Sequence, residues 1–231
     1  IQEVLRACER QGINTWQLHY SDQSMADFRR YRAGGRMNWF LLSDGGMIDR
    51  PAEEIREAAA LEPIGIAHHG NRTDDRFREG KHQLVHDFLK RVRDSGVRVG
   101  LSTHNPAVID YVEGKGWDID YYMTCFHYVS RPPEATKKLC GGELPLGEPF
   151  LAGDPARMCK MIRQTKKTCL AFKILSAGRA IQSKESVEQA FRFAFENIKP
   201  QDCVIVGMYP RYKDEISENV AFARKYGAAR T

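Results

Sequence analysis

The sequence contains no His-Glu-x-x-His, no Gly-x-Ser-x-Gly and no glycine-rich loop ending in Gly-Lys-Ser/Thr. Those absences argue against a zinc protease, a serine hydrolase with a nucleophile elbow and a P-loop nucleotide hydrolase. No apolar run approaches the ~20 residues that a bilayer crossing needs, so no membrane partner is expected. Cys-x-x-Cys pairs are missing too: the six cysteines, Cys8, Cys125, Cys140, Cys159, Cys169 and Cys203, are scattered, and several lie in apolar runs. A free thiol there behaves as a small core residue, and a reducing, cytoplasmic compartment is the simpler expectation. A block of one charge sign is also lacking. The formal charge is only +5, with Arg and Lys interleaved among Asp and Glu, so a nucleic-acid partner is not expected and a small molecule is.

What is present is alternation. The 231 residues, 42% hydrophobic and 28% charged, suffice for one sizeable core and predict a single domain over 1–231. Short β-rich runs alternate with amphipathic helical stretches, the pattern of βα units on a parallel sheet. A helix comes first, over Gln2 to Gln11, with Gly12 positioned to end it. Seven strands follow, at Asn14–Tyr20, Met37–Ser43, Pro63–His68, Arg98–Ser102, Ile119–Cys125, Thr168–Leu175 and Asp202–Met208, each trailed by a helical stretch. Seven strands with eight helices fit a (β/α)₈ TIM barrel that begins after its first strand and runs from its first helix to its eighth. The alternative is an open, doubly wound seven-stranded sheet, which the lack of a glycine-rich turn after an early strand disfavours. One connection is long: residues 128–153 carry four prolines and the pair Gly141-Gly142, as expected of a lid over the catalytic end of the sheet.

In a barrel of this kind reactive groups sit at the C-terminal strand ends. Reading off those ends gives His19, Asp44, His68 with His69, His104, Cys125 with His127, Lys173 and Tyr209. Most of the seven histidines thus fall on one rim, whereas His82 and His86 fall one turn apart on an outer helix. Imidazole moves protons near neutrality and ligates divalent metals, so His19, Asp44, His68, His104 and His127 form a candidate set for zinc, iron or manganese. Lys173 reads as a charge inside an apolar strand, in need of a partner or a ligand. Gly178-Arg179 and Gly207 through Arg211 follow the last two strands, where barrels often hold a phosphate. Thr103-His104-Asn105-Pro106 reads as an N-cap and helix start.

The order of these motifs resembles the aldo/keto reductases, most specifically from Arg98 onward. Val99 through Pro106 looks like that family's fifth strand and following turn, Lys173 through Arg179 like its seventh strand and loop, and Val204 through Gly207 with Glu218 and Asn219 like its last strand and adenine-contacting helix start. The resemblance implies hydride transfer between NADP(H) and a carbonyl. It implies His68 as the residue polarising that carbonyl, with Tyr20, His19 and Lys173 as further catalytic candidates. Ser102 is implied to hold the nicotinamide amide, and Gly178, Arg179, Gly207, Arg211, Glu218 and Asn219 the rest of the cofactor. The family's aspartate position falls near Gln17 and its lysine position near Ser43 or Asp44. Three functions stay open: a reductase of carbonyl or sugar-like substrates, a metal-dependent isomerase, aldolase or hydrolase, and a noncatalytic ligand-binding barrel. Substrate and oligomeric state are not legible.

Overall fold

The computed structural model describes residues 1–228. In chain order the elements are α1 Gln2–Arg10, β1 Thr15–His19, α2 Asp22–Arg32, β2 Asn38–Leu42, α3 Gly45–Asp49, α4 Pro51–Ala59, β3 Gly65–His68, α5 Gly70–Arg78, α6 His82–Asp94, β4 Arg98–Thr103, α7 Pro106–Gly114, β5 Tyr121–Cys125, α8 Pro133–Leu139, α9 Asp154–Gln164, β6 Thr168–Phe172, α10 Lys184–Asn197, β7 Cys203–Ile205 and α11 Glu215–Gly227. The helices have local causes. Ser21 caps α2 by accepting from the Ser24 N–H at 3.1 Å, Asn105 caps α7 ahead of Pro106, and Ser183 with Ser186 forms a reciprocal capping box on α10. Val85, Phe88, Leu89 and Val92 make the buried stripe of α6 at helical spacing.

All strand pairs are parallel, and the sheet order is β1-β2-β3-β4-β5-β6-β7. A doubly wound sheet reverses its order at a switch point, so sequential order with a helix after each strand defines the TIM-barrel class instead. The sheet curls far enough for Gln17 of β1 and Ile205 of β7 to line one groove, although these edge strands do not pair with each other.

Two cores result. Outside the sheet, Leu41, Ile66, Leu101 and Tyr122 pack against Ile55, Leu89, Ile109 and Phe191 of the helices. Inside it, Ala67, Tyr121, Met123 and Leu170 are joined by Phe40, Leu42, Phe172 and Ile205. Tyr121 fills the middle of the barrel because two strands carry no side chain there: a Cβ on Gly65 or Gly100 would lie 2.6 or 2.2 Å from its ring.

The seven strands match the expected number and order; six are shorter than expected, and β4 runs one residue further, to Thr103. The last two stop at Phe172 and Ile205. Lys173 is therefore beyond its strand: its φ of +57° breaks the extended run, and its side chain is 23% exposed and ion-paired. The eight predicted helical stretches resolve into eleven α-helices among the described residues. Two of the connecting stretches are split, into α3 with α4 and α5 with α6, and α8 lies inside the long 128–153 connection.

Candidate functional site

Strand side chains alternate between the two cores, and this alternation sorts the histidines. On β3, Ile66 and His68 face the helices while Ala67 faces the interior, as does the following His69. His68 is 1% exposed, with its ring edge-on to Phe88 at 5.0 Å. Its Nδ1 is 2.7 Å from Thr73 Oγ1, whose own proton goes to the His69 carbonyl at 3.0 Å. That leaves Nδ1–H as the donor to Thr73 and makes His68 a neutral tie between β3 and α5. Burial pushes its pKa down to about 3. The role expected for His68, polarising a carbonyl at the mouth, does not fit a ring turned into the helix layer. Tyr20 meets the same difficulty. It packs on the helix-facing core, and its hydroxyl pKa is raised by burial first and then by Glu54, Glu57 and Asp44, the wrong direction for a proton donor at neutral pH.

The mouth itself gathers other groups. The His69 ring stands edge-on to His19 at 5.6 Å, and its pKa is lowered to about 4 by burial, with His19, His104 and Arg72 adding to the shift. His104 is 5% exposed and has a dedicated carboxylate. Asp74 of α5 accepts from His104 Nδ1 at 2.8 Å, from the His104 backbone N–H at 3.0 Å, from Ser130 Oγ at 2.6 Å and from Thr103 Oγ1. A carboxylate accepts, so neutral His104 carries its proton on Nδ1 and keeps a lone pair on Nε2. Its ring lies 5.8 Å from Phe172. Gly70 makes room beside it, since a Cβ there would sit 2.9 Å from His104 Cε1 and 3.0 Å from Ser102 Oγ. Ser102 is 1% exposed and its hydroxyl has no partner, as is true of Gln17 Nε2, His69 Nδ1 and Tyr121 OH.

A groove of about 490 Å³ runs from Phe172 over the ends of β6 and β7. Of the residues assigned to a cofactor by resemblance, Gly178, Gly207 and Asn219 line it, and Lys173 does so as well. Ser102 lies beside His104, Arg179 stacks 4.1 Å over Phe150, Glu218 pairs with Lys213 at 3.1 Å, and Arg211 lies over Tyr212 at 5.6 Å. The metal candidates do not converge. Asp44 caps α3 by accepting from the Met47 N–H at 2.8 Å, His68 faces outward, and His127 Nε2 is engaged with Ser176 Oγ at 2.9 Å. Burial lowers the His127 pKa. Among the described residues no three His, Cys, Asp or Glu side chains form a group able to hold a metal ion.

Sequence reasoning passed over Asp74, which lies 30 residues from His104, and over Glu148 and Phe150 in the long connection. Nothing local marks any of the three. His69 carries no signal in the sequence that separates it from His68 beside it.

No family model matches the sequence, and no curated protein matches it. Solved structures do. A truncated 3-deoxy-D-arabino-heptulosonate 7-phosphate synthase from Thermotoga maritima superposes with a TM-score of 0.54 at 12% identity, over 99% of this chain and 78% of that one. A xylose isomerase-like TIM barrel protein from Mycobacterium smegmatis, in complex with magnesium, gives 0.49 at 10% identity, over 100% of this chain and 89% of that one. At such identities the likeness is one of fold: this chain is a TIM barrel.

Proposed function

We propose that the chain is a small-molecule oxidoreductase of the aldo/keto reductase kind, with NADP(H) along the groove over β6 and β7 and His104 as the group that moves the proton. The observation that carries this reading is the Asp74–His104 pair, whose imidazole lies 5.8 Å from the Phe172 ring that forms part of the groove's lining.

The groove suits such a cofactor. Gly178 at φ +87° and Gly207 leave the backbone open to close approach, and Ile174, Leu175 and Ile205 give apolar walls. When bound, the nicotinamide would supply or accept the hydride. The chain's residues do the rest. Asp74 holds the imidazole in one tautomer and orientation, and the hydroxyls of Thr103 and Ser130 hold Asp74. In the direction of reduction His104 enters protonated and gives its Nε2 proton to the carbonyl oxygen. In oxidation the Nε2 lone pair takes the proton back. The partnerless hydroxyl of Ser102 beside it is available to orient a polar group.

The test is consumption of NADPH with a panel of aldehydes, ketones and aldoses. Turnover by the wild type, reduced on the order of 100-fold in His104→Gln with NADPH affinity kept, is the expected result. A folded wild type that turns over none of them removes the reading.

A further inference from the structure

Helix α5 begins where β3 ends, so its first turn faces the mouth of the barrel. His69 stands at the cap position, and its side chain caps nothing. The first bond of the helix runs from the Thr73 N–H to the His69 carbonyl at 2.8 Å, and among the described residues the N–H groups of Gly70, Asn71 and Arg72 meet no acceptor of the chain. Such N–H groups, together with the positive end of the helix dipole, favour an anion. Water serves most helix starts equally well, so a ligand site needs more than this.

Three side chains supply it. The hydroxyl of Ser102, a residue 1% exposed, has no partner and is turned toward the start of α5: a Cβ on Gly70 would lie 3.0 Å from Ser102 Oγ and 2.9 Å from His104 Cε1. His69 Nδ1 is likewise buried without a partner, on a ring 5.6 Å from that of His19. Arg72 is exposed, makes no ion pair among the described residues, and reaches toward the start of α3, where a Cβ on Gly45 would lie 3.3 Å from its Nη2. The carboxylates of this corner already have donors: Asp44 accepts from the Met47 N–H, and Asp74 from His104, Ser130 and Thr103. Their negative charge disfavours a dianion here more than a monoanion. Ser102, His69 and Arg72 do not line the groove over β6 and β7.

We propose that the start of α5, with Arg72, His69 and Ser102, is a carboxylate subsite, and that the substrate is a small carbonyl compound bearing a carboxylate, of the 2-oxo acid class. A guanidinium fork matches a planar carboxylate in shape as well as charge. Gly70 lies beside the His104 ring, so a carboxylate held by this turn has its adjoining carbonyl next to the imidazole. The substrate class rests on the reading of His104 as the group that moves the proton, whereas carboxylate binding at α5 does not depend on nicotinamide chemistry.

Calorimetric titration with oxamate, an unreactive analogue of a 2-oxo acid, tests the subsite without any cofactor. Wild type should bind oxamate, and inorganic phosphate more weakly. Arg72→Gln should bind oxamate roughly tenfold more weakly and Ser102→Ala about fivefold more weakly, the ranges for a charge-assisted and a neutral hydrogen bond. Both variants should keep the wild-type thermal midpoint, since Arg72 is exposed and the Ser102 hydroxyl has no partner to lose. Lys115→Gln, which removes an exposed charge beyond α7, should match wild type. Oxamate affinity should be unchanged when NADPH is saturating. No binding by wild type, full binding by Arg72→Gln, or an equal loss in Lys115→Gln overturns the subsite. Phosphate binding as tight as that of oxamate, or exclusion of oxamate by NADPH, overturns its assignment to a substrate carboxylate. If oxamate binds in the expected pattern and NADPH does not bind, the reductase reading fails and the subsite stands. If uncharged aldehydes are reduced by NADPH and oxamate does not bind, the reverse holds.

Discussion

His68 and His69 are neighbours with opposite duties. The first sits between β3 and the helices with its Nδ1 bonded to Thr73, and the second faces the mouth against His19. Burial of His68 has a consequence for stability. Its pKa in the folded chain is about 3, against 6.5 for an exposed imidazole. As pH falls from 6.5 toward about 3, the unfolded chain takes up a proton that the folded chain refuses. The stability that neutral His68 supports is thus complete above the unfolded value and declines below it, by up to about 1.4 kcal/mol per pH unit for one proton. His69 acts in the same direction, with less weight because it is partly open to solvent. Thermal midpoints should drop between about pH 7 and about pH 4.5, and the drop should be smaller in His68→Gln. An unchanged drop in the variant would assign the acid sensitivity elsewhere.

At the scale of elements, the strands were legible and the faces of their side chains were not. β-Rich runs separated by helical stretches gave seven strands in the right order. Strands covered on both faces are apolar throughout, however, so alternation that would mark one face is erased. Ile64 to Ala67 shows this: nothing in that run tells which of the next two histidines turns inward. Asp74 was illegible for a different reason, since its bond to His104 joins the second turn of α5 to the end of β4. The long connection could be recognised by its prolines and glycines, but the docking of Phe150 on Arg179 depends on how the curled sheet brings the two loops together. One interior feature follows from glycine alone. Gly100→Ala would place a methyl 2.2 Å from the Tyr121 ring and should cost about 1–3 kcal/mol in denaturant unfolding. Tyr121→Phe removes a buried hydroxyl that has no partner and should be neutral or slightly stabilising. If Gly100→Ala proved neutral, Tyr121 would not be the group that fills the barrel.

For the whole molecule, the sequential parallel sheet brings Gln17 of β1 and the ends of β6 and β7 to one groove, and the end of β3 places His69 against His19. No helix among the described residues is long and apolar enough to cross a membrane. The function proposed for this arrangement requires that the groove take a nicotinamide dinucleotide, and Gly207 gives direct access to that requirement. It lines the groove, and a Cβ added there would meet nothing within 4 Å, so a larger side chain can start from this position without a clash at the backbone. NADPH fluorescence, titrated against wild type and Gly207→Trp, is the decisive measurement. A saturable change is expected with wild type, and its loss in the folded variant. No saturable change with wild type, or equal binding by both proteins, would contradict it.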